Sequence, residues 1–201
     1  VHHILILGVF LFIVFFSFKS ELIINSVGER LDSLNFIENT NNSVSINAVS
    51  NKSRMGIQYA NFLVFLKHPF FGIGWGQQAF EAKSLYPKWA TTRNYEFTMK
   101  YLNEDHLPFP PGYNLYLRIM AETGLIGMVL FLTFLVTLIL TAWKFLKVVN
   151  HKYRFIYIAI IIGLIGSLLN WFQIDSFRTY GFWLCFVFLM VKLPNNFKQV
   201  G

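Results

Sequence analysis

The sequence predicts an all-α integral membrane protein, with about four transmembrane helices and a long extracytoplasmic loop containing amphipathic helices. Three observations predict it. The chain is 55% hydrophobic and only 13% charged over 201 residues, and its mean hydropathy is +0.48. A chain of this length cannot bury that much apolar surface in one small core, so lipid becomes the expected solvent. Its 23 Phe and five Trp suit lipid-facing and interfacial positions. Finally, the apolar residues gather in long blocks separated by charged or Asn- and Ser-rich stretches.

The first block, "ILILGVFLFIVFFSF", begins at Ile4. About 15 apolar residues reach roughly 22 Å, short of a hydrocarbon layer of ~30 Å. Residues 1–18 therefore read as the tail of a spanning helix, and the chain as the C-terminal part of a longer multi-spanning protein. A signal peptide is the rival reading, but no basic segment precedes the block and no small-residue cleavage site follows it. Residues 19–123 form the long outer segment. Its start is rich in Asn and Ser, which favours loop. Its sequons at Asn41 and Asn51 matter only in a eukaryotic secretory pathway, which nothing else suggests.

Within that segment, "SRMGIQYANFLVFLKHPFFGIGWG" places Met55, Tyr59, Phe62, Leu63 and Leu66 at helical spacing, with Arg54, Gln58 and Asn61 on another face. The spacing predicts an amphipathic helix that lies along a bilayer surface, ended by Pro69. Residues 124–143 are a charge-free span, and residues 155–174 a second one, whose Gly163, Gly166 and Ser167 suit close helix packing. A shorter apolar stretch, 179–193, follows the turn 175–178. Loop 144–154 carries Lys144, Lys147, Lys152 and Arg154 with no acid, which places it and the tail 194–201 in the cytoplasm. The turn 175–178 and segment 19–123 then lie outside.

The net charge of +7, from 17 basic and 10 acidic residues, points to loop orientation and to anionic lipid or a phosphorylated ligand before nucleic acid. Cys185 lies in an apolar run, so neither a disulfide framework nor a thiol metal site is expected. Apart from the N-terminal pair His2 and His3, the five His are scattered, and they show no ligand spacing with acids or thiols. "GIGWG", Gly72 to Gly76, lacks the strand that precedes a nucleotide loop. It reads as a tight turn where backbone approaches membrane or ligand.

Several residues carry two readings. Asn114, Arg118 and Glu122 share one helical stripe; they form either a solvated face with one Arg–Glu pair or a polar site at the membrane surface. Arg54 is either a snorkelling arginine or a phosphate clamp. His106 is either exposed loop or a general base. Asp175 and Arg178 read as an ion pair within the turn.

Together, an Arg-headed amphipathic helix, "HPFFGIGWGQQAF", a long outer loop and "YNLYLRIMAETGLIG" resemble the bacterial O-antigen ligase and O-antigen polymerase family. Its shared region has the pattern R…P-(hydrophobic)₂-G-x-G…H-N-x-Y-L…E-x-G-(hydrophobic)₂-G, matched here over roughly 54–140. The resemblance implies a bacterial inner-membrane, multi-pass glycosyltransferase whose active face is extracytoplasmic. Such an enzyme polymerises or ligates undecaprenyl-diphosphate-linked glycan in O-antigen, capsule or exopolysaccharide synthesis, without metal or other cofactor. The lipid diphosphate is the leaving group, and arginines neutralise its charge. The implied partners are that lipid-linked oligosaccharide, a glycan acceptor and membrane lipid, with a chain-length regulator as a further candidate and no nucleic acid.

The resemblance matches Arg54 to the family's arginine, and Asn114, Tyr116, Glu122 and Gly124 to the second half of its pattern. The expected substrate-binding residues are Arg54, Asn114, Tyr116 and Glu122, with Arg118 added from its place on the same helical stripe. This chain has Tyr113 where many members have a histidine that serves the acceptor. A phenol, with an ordinary pKa of about 10, is a poor base at neutral pH, so His106 and Tyr113 are both candidates for that catalytic place. The alternatives are a transporter or flippase of lipid-linked sugars, and a non-catalytic envelope protein. A transporter more often carries ionisable groups at mid-membrane, and neither 124–143 nor 155–174 has one.

Overall fold

The computed structural model describes residues 46–103 and 110–191. The expected span 1–18, His106 and the tail 194–201 lie outside the described residues. Among those described, every regular element is helical. Helix α1 is Ile46–Lys67, α2 Gln78–Lys83, α3 Lys88–Thr91, α4 Leu115–Val148, α5 Arg154–Asn170 and α6 Tyr180–Met190; a π turn spans Phe97–Tyr101 and a 3₁₀ turn His151–Tyr153.

Two helical segments are long and apolar enough to cross a membrane, Leu115–Val148 and His151–Asn170. They are joined through Val149 and Asn150, whose side chain accepts from the Lys152 amide at 3.2 Å. Helix α6 is apolar, but its 11 residues rise only about 16 Å. The expected span 124–143 falls on the second part of α4, which resumes after a break at Gly124 and runs past Trp143 to Val148; the first part begins at Leu115. Leu135, Leu138, Tyr157, Ile160, Leu164, Trp171, Phe182 and Leu189 form the core between α4, α5 and α6. The outer faces stay apolar, with Leu130, Leu140, Phe155, Ile162 and Leu184 exposed. That is the polarity of a helix bundle solvated by hydrocarbon.

Helix α1 has the same inverted polarity. Met55, Tyr59, Phe62 and Leu66 point outward, while Val49, Ser53, Ile57, Ala60, Asn61 and Val64 are buried. The small inner face lets other segments approach closely. A Cβ on Gly56 would stand 2.3 Å from the Ala90 Cβ, so α3 crosses α1 there. Asn94 ties the following loop down, donating to Ser53 Oγ and Ala90 O at 3.0 and 2.9 Å. Pro69 ends α1 as expected, since the helix stops at Lys67.

Candidate functional site

The turn after α1 and the head of α4 are built around two glycines. Gly72 and Gly124 both have φ of 66°, a conformation that L side chains adopt only with strain. They cross at their backbones: a Cβ on Gly72 would meet the Glu122 carbonyl carbon at 2.3 Å, and one on Gly124 would meet the Phe70 carbonyl carbon at 2.3 Å. Four hydrogen bonds seal the crossing. Ile73 N donates to Ala121 O (3.1 Å) and Gly74 N to Glu122 O (2.9 Å); Leu125 N donates to Pro69 O (2.7 Å) and Ile126 N to Phe70 O (3.3 Å).

The arrangement is reciprocal. Shifting each bond by the 52 positions that separate Gly72 from Gly124 produces another of the four. Each segment supplies the carbonyl that the other would take four residues back in an unbroken helix. The break in α4 at Gly124 thus leaves none of these donors orphaned. "GIGWG" is indeed a tight turn, but what it approaches is the protein's own helix.

Beside this crossing stands Arg118. Its Nε donates to Glu122 Oε1 at 3.0 Å, and its Nη1 donates to the Asp175 carbonyl at 3.1 Å. The Asp175 carboxylate lies 3.7 Å from Nη1 and accepts from the Gly112 amide at 2.6 Å. The Arg118 guanidinium also sits over the Trp75 ring, 5.7 Å from its centroid. The side chain of Glu122 is fully buried, and its Oε2 has no partner among the described residues. Asp175 therefore turns inward to Arg118 and Gly112, which corrects its reading as the partner of Arg178 within the turn.

A second arginine lies across Gly112 and Tyr113. Arg54, exposed on α1, places its guanidinium 5.1 Å from the centroid of the Tyr113 ring. One helical turn on, Gln58 Nε2 donates to the Tyr113 carbonyl at 3.3 Å. The Tyr113 hydroxyl lies 3.1 Å from that of Tyr101. Burial, reinforced by this hydrogen bond, pushes the Tyr101 phenol well above its usual range, so Tyr101 stays a neutral donor or acceptor. Tyr113 itself is held at φ 55°. No described ion pair involves Arg54.

Asn114 and Tyr116 have structural partners. Asn114 is the N-cap of α4, its side chain accepting from Leu117 N at 3.1 Å. The Tyr116 hydroxyl donates to Leu168 O at 2.9 Å across to α5. Asn114→Ala is expected to cost about 1 kcal/mol of stability through the lost cap, read as a drop of a few degrees in thermal midpoint.

The structure thus brings together Arg54 with Tyr113, and Arg118 with Glu122, and joins the two pairs through the neighbours Gly112 and Tyr113. Asp175 and Trp75 are additions that the sequence reading did not place at the site. Asp175 belongs to the distant turn before α6, and only its expected location at the same end of the bundle hinted at the contact. Among the described residues no three His, Cys, Asp or Glu side chains gather as metal ligands would.

A family model described as O-antigen ligase matches residues 1–132. No curated protein and no solved structure matches the chain. The matched region contains α1 with Arg54, both halves of the glycine crossing and the Asn114–Glu122 stripe. The chain belongs to the O-antigen ligase family, a bacterial inner-membrane family of glycosyltransferase type that acts on lipid-linked glycans.

Proposed function

We propose that the protein is a multi-pass polymerase or ligase of undecaprenyl-diphosphate-linked glycan, working at the outer face of the inner membrane. The single observation that carries this reading is Arg54: an exposed guanidinium outside every described ion pair, held over the Tyr113 ring. A forked, permanently charged donor suits a diphosphate, whose negative charge grows as the sugar departs. Arg118 is already engaged by Glu122 and Asp175. Its part is to fix the geometry around Gly112 and to add positive field beside the diphosphate.

In the proposed step the acceptor hydroxyl oxygen forms a bond to the anomeric carbon, and the bond from that carbon to the diphosphate oxygen breaks. The electron pair leaves with undecaprenyl diphosphate. Tyr113 hydrogen-bonds the acceptor hydroxyl, and His106, seven residues earlier in the chain, takes its proton. Asn114 and Tyr116 hold α4 in place and border the substrate.

The test is direct. Purified full-length protein in lipid nanodiscs, given undecaprenyl diphosphate carrying the cell's own repeat unit plus acceptor, is expected to lengthen or transfer the glycan and release undecaprenyl diphosphate. Movement of the intact lipid-linked sugar across a vesicle membrane, with no new glycosidic bond, would show a flippase and end the proposal.

A further inference from the structure

We infer that Trp75 is a saccharide platform, on which a pyranose ring of the lipid-linked donor lays its apolar face. The inference rests on the glycosyltransferase reading and extends it to the recognition of the sugar. Trp75 sits where the chain leaves the glycine crossing. Gly74 and Gly76, on either side, have φ of 101° and 77°, so the chain turns sharply around Trp75. Its position is then fixed from two directions. The ring stacks on Phe177, with centroids 5.9 Å apart and an interplanar angle of 18°, and the Arg118 guanidinium lies 5.7 Å from its centroid.

A side chain so well held would ordinarily be buried, yet Trp75 remains 60% exposed. Its Nε1–H also has no acceptor among the described residues. The neighbouring indoles differ: Trp171 Nε1 donates to Thr179 Oγ1 at 3.0 Å and Trp183 Nε1 to Phe177 O at 2.6 Å. Arg118 is in a similar state, since Nε and Nη1 are engaged while Nη2 has no described acceptor. The result is a rigid, largely exposed indole whose N–H no described residue accepts, beside a fixed cation whose Nη2 is likewise without a described acceptor.

A pyranose matches that surface. Its axial C–H groups form an apolar face that rests on the negative face of the indole, and its ring-edge hydroxyls accept from N–H donors. An acyl chain would use the ring but leave the donors without partners. Phe177 and Arg118 pre-orient the indole, so little side-chain entropy is lost on binding.

The experiment compares two probes on the full-length protein in nanodiscs: bare undecaprenyl diphosphate, and the same lipid carrying the cell's own repeat unit. Trp75→Ala is expected to weaken binding of the glycan-bearing lipid about tenfold and leave the bare lipid unchanged. Trp75→Phe, which keeps an aromatic face but lacks the N–H, is expected to restore only part of the loss. Trp75 is 60% exposed but stacks on Phe177 and lies under Arg118, so thermal midpoints should fall by no more than a few degrees, and size-exclusion profiles should match the wild type and confirm intact protein. Equal weakening of both probes would make Trp75 a lipid anchor and overturn the inference, as would wild-type binding of both. If the wild-type protein binds neither lipid, the fault lies with the glycosyltransferase reading itself.

Discussion

Gly124→Ala is expected to unfold the head of α4, lowering the thermal midpoint sharply and reducing the yield of folded protein. Two costs combine. At φ 66° and ψ −164° the residue occupies backbone space that only glycine enters freely, which costs of order 1–3 kcal/mol for any L side chain. The added methyl would also stand 2.3 Å from backbone atoms of Phe70. Backbone held by four hydrogen bonds cannot swing aside as a flexible side chain would. Together they exceed about 4 kcal/mol, a large part of the ~5–15 kcal/mol that separates folded from unfolded chains.

Gly72→Ala should behave alike, because its Cβ would meet Glu122 and Thr123 backbone at 2.3 and 2.4 Å. Gly166→Ala and Gly181→Ala are the controls. Both positions are helical, a Cβ there meets nothing within 4 Å, and alanine is the better helix former. Melting curves followed by size-exclusion chromatography should separate the two pairs clearly. A Gly124→Ala protein that melts like the Gly166→Ala control would rule out the crossing.

The crossing explains which features of the sequence were legible. Apolar blocks predicted α4 and α5, because a span announces itself by length and absence of charge. Pro69 predicted the end of α1, a local effect of its ring. The four-residue spacing of Arg118 and Glu122 predicted their contact. The two glycine patterns could be matched to the family, but their physical meaning was not legible. A positive φ at one glycine has many causes, and only the fold puts the other glycine against it.

The contacts of Asp175 were hidden for a related reason. A local partner, Arg178, was available in the turn, whereas Arg118 lies 57 positions away. Asn114 is placed by the four-residue spacing on a polar stripe with Arg118 and Glu122. Its position just before an apolar helix also fits an N-cap, which is where the structure places it.

Arg54→Ala is expected to lower glycan transfer by about 10²–10³-fold, the usual loss when one charge-stabilising donor is removed from a transition state. The protein should stay folded. Arg54 is exposed and belongs to no described ion pair, so its removal should change stability by no more than about 0.5 kcal/mol. Arg54→Lys should recover only part of the activity, since an ammonium keeps the charge but lacks the planar fork that engages two phosphate oxygens. Arg118→Ala provides the contrast. It leaves the buried Glu122 carboxylate without its partner, and should therefore lose protein as well as product. The measurement is release of undecaprenyl diphosphate and length of the glycan product, at equal amounts of folded protein. Wild-type product from Arg54→Ala would mean that this guanidinium holds no phosphate, and the leaving-group role would have to pass to another cation.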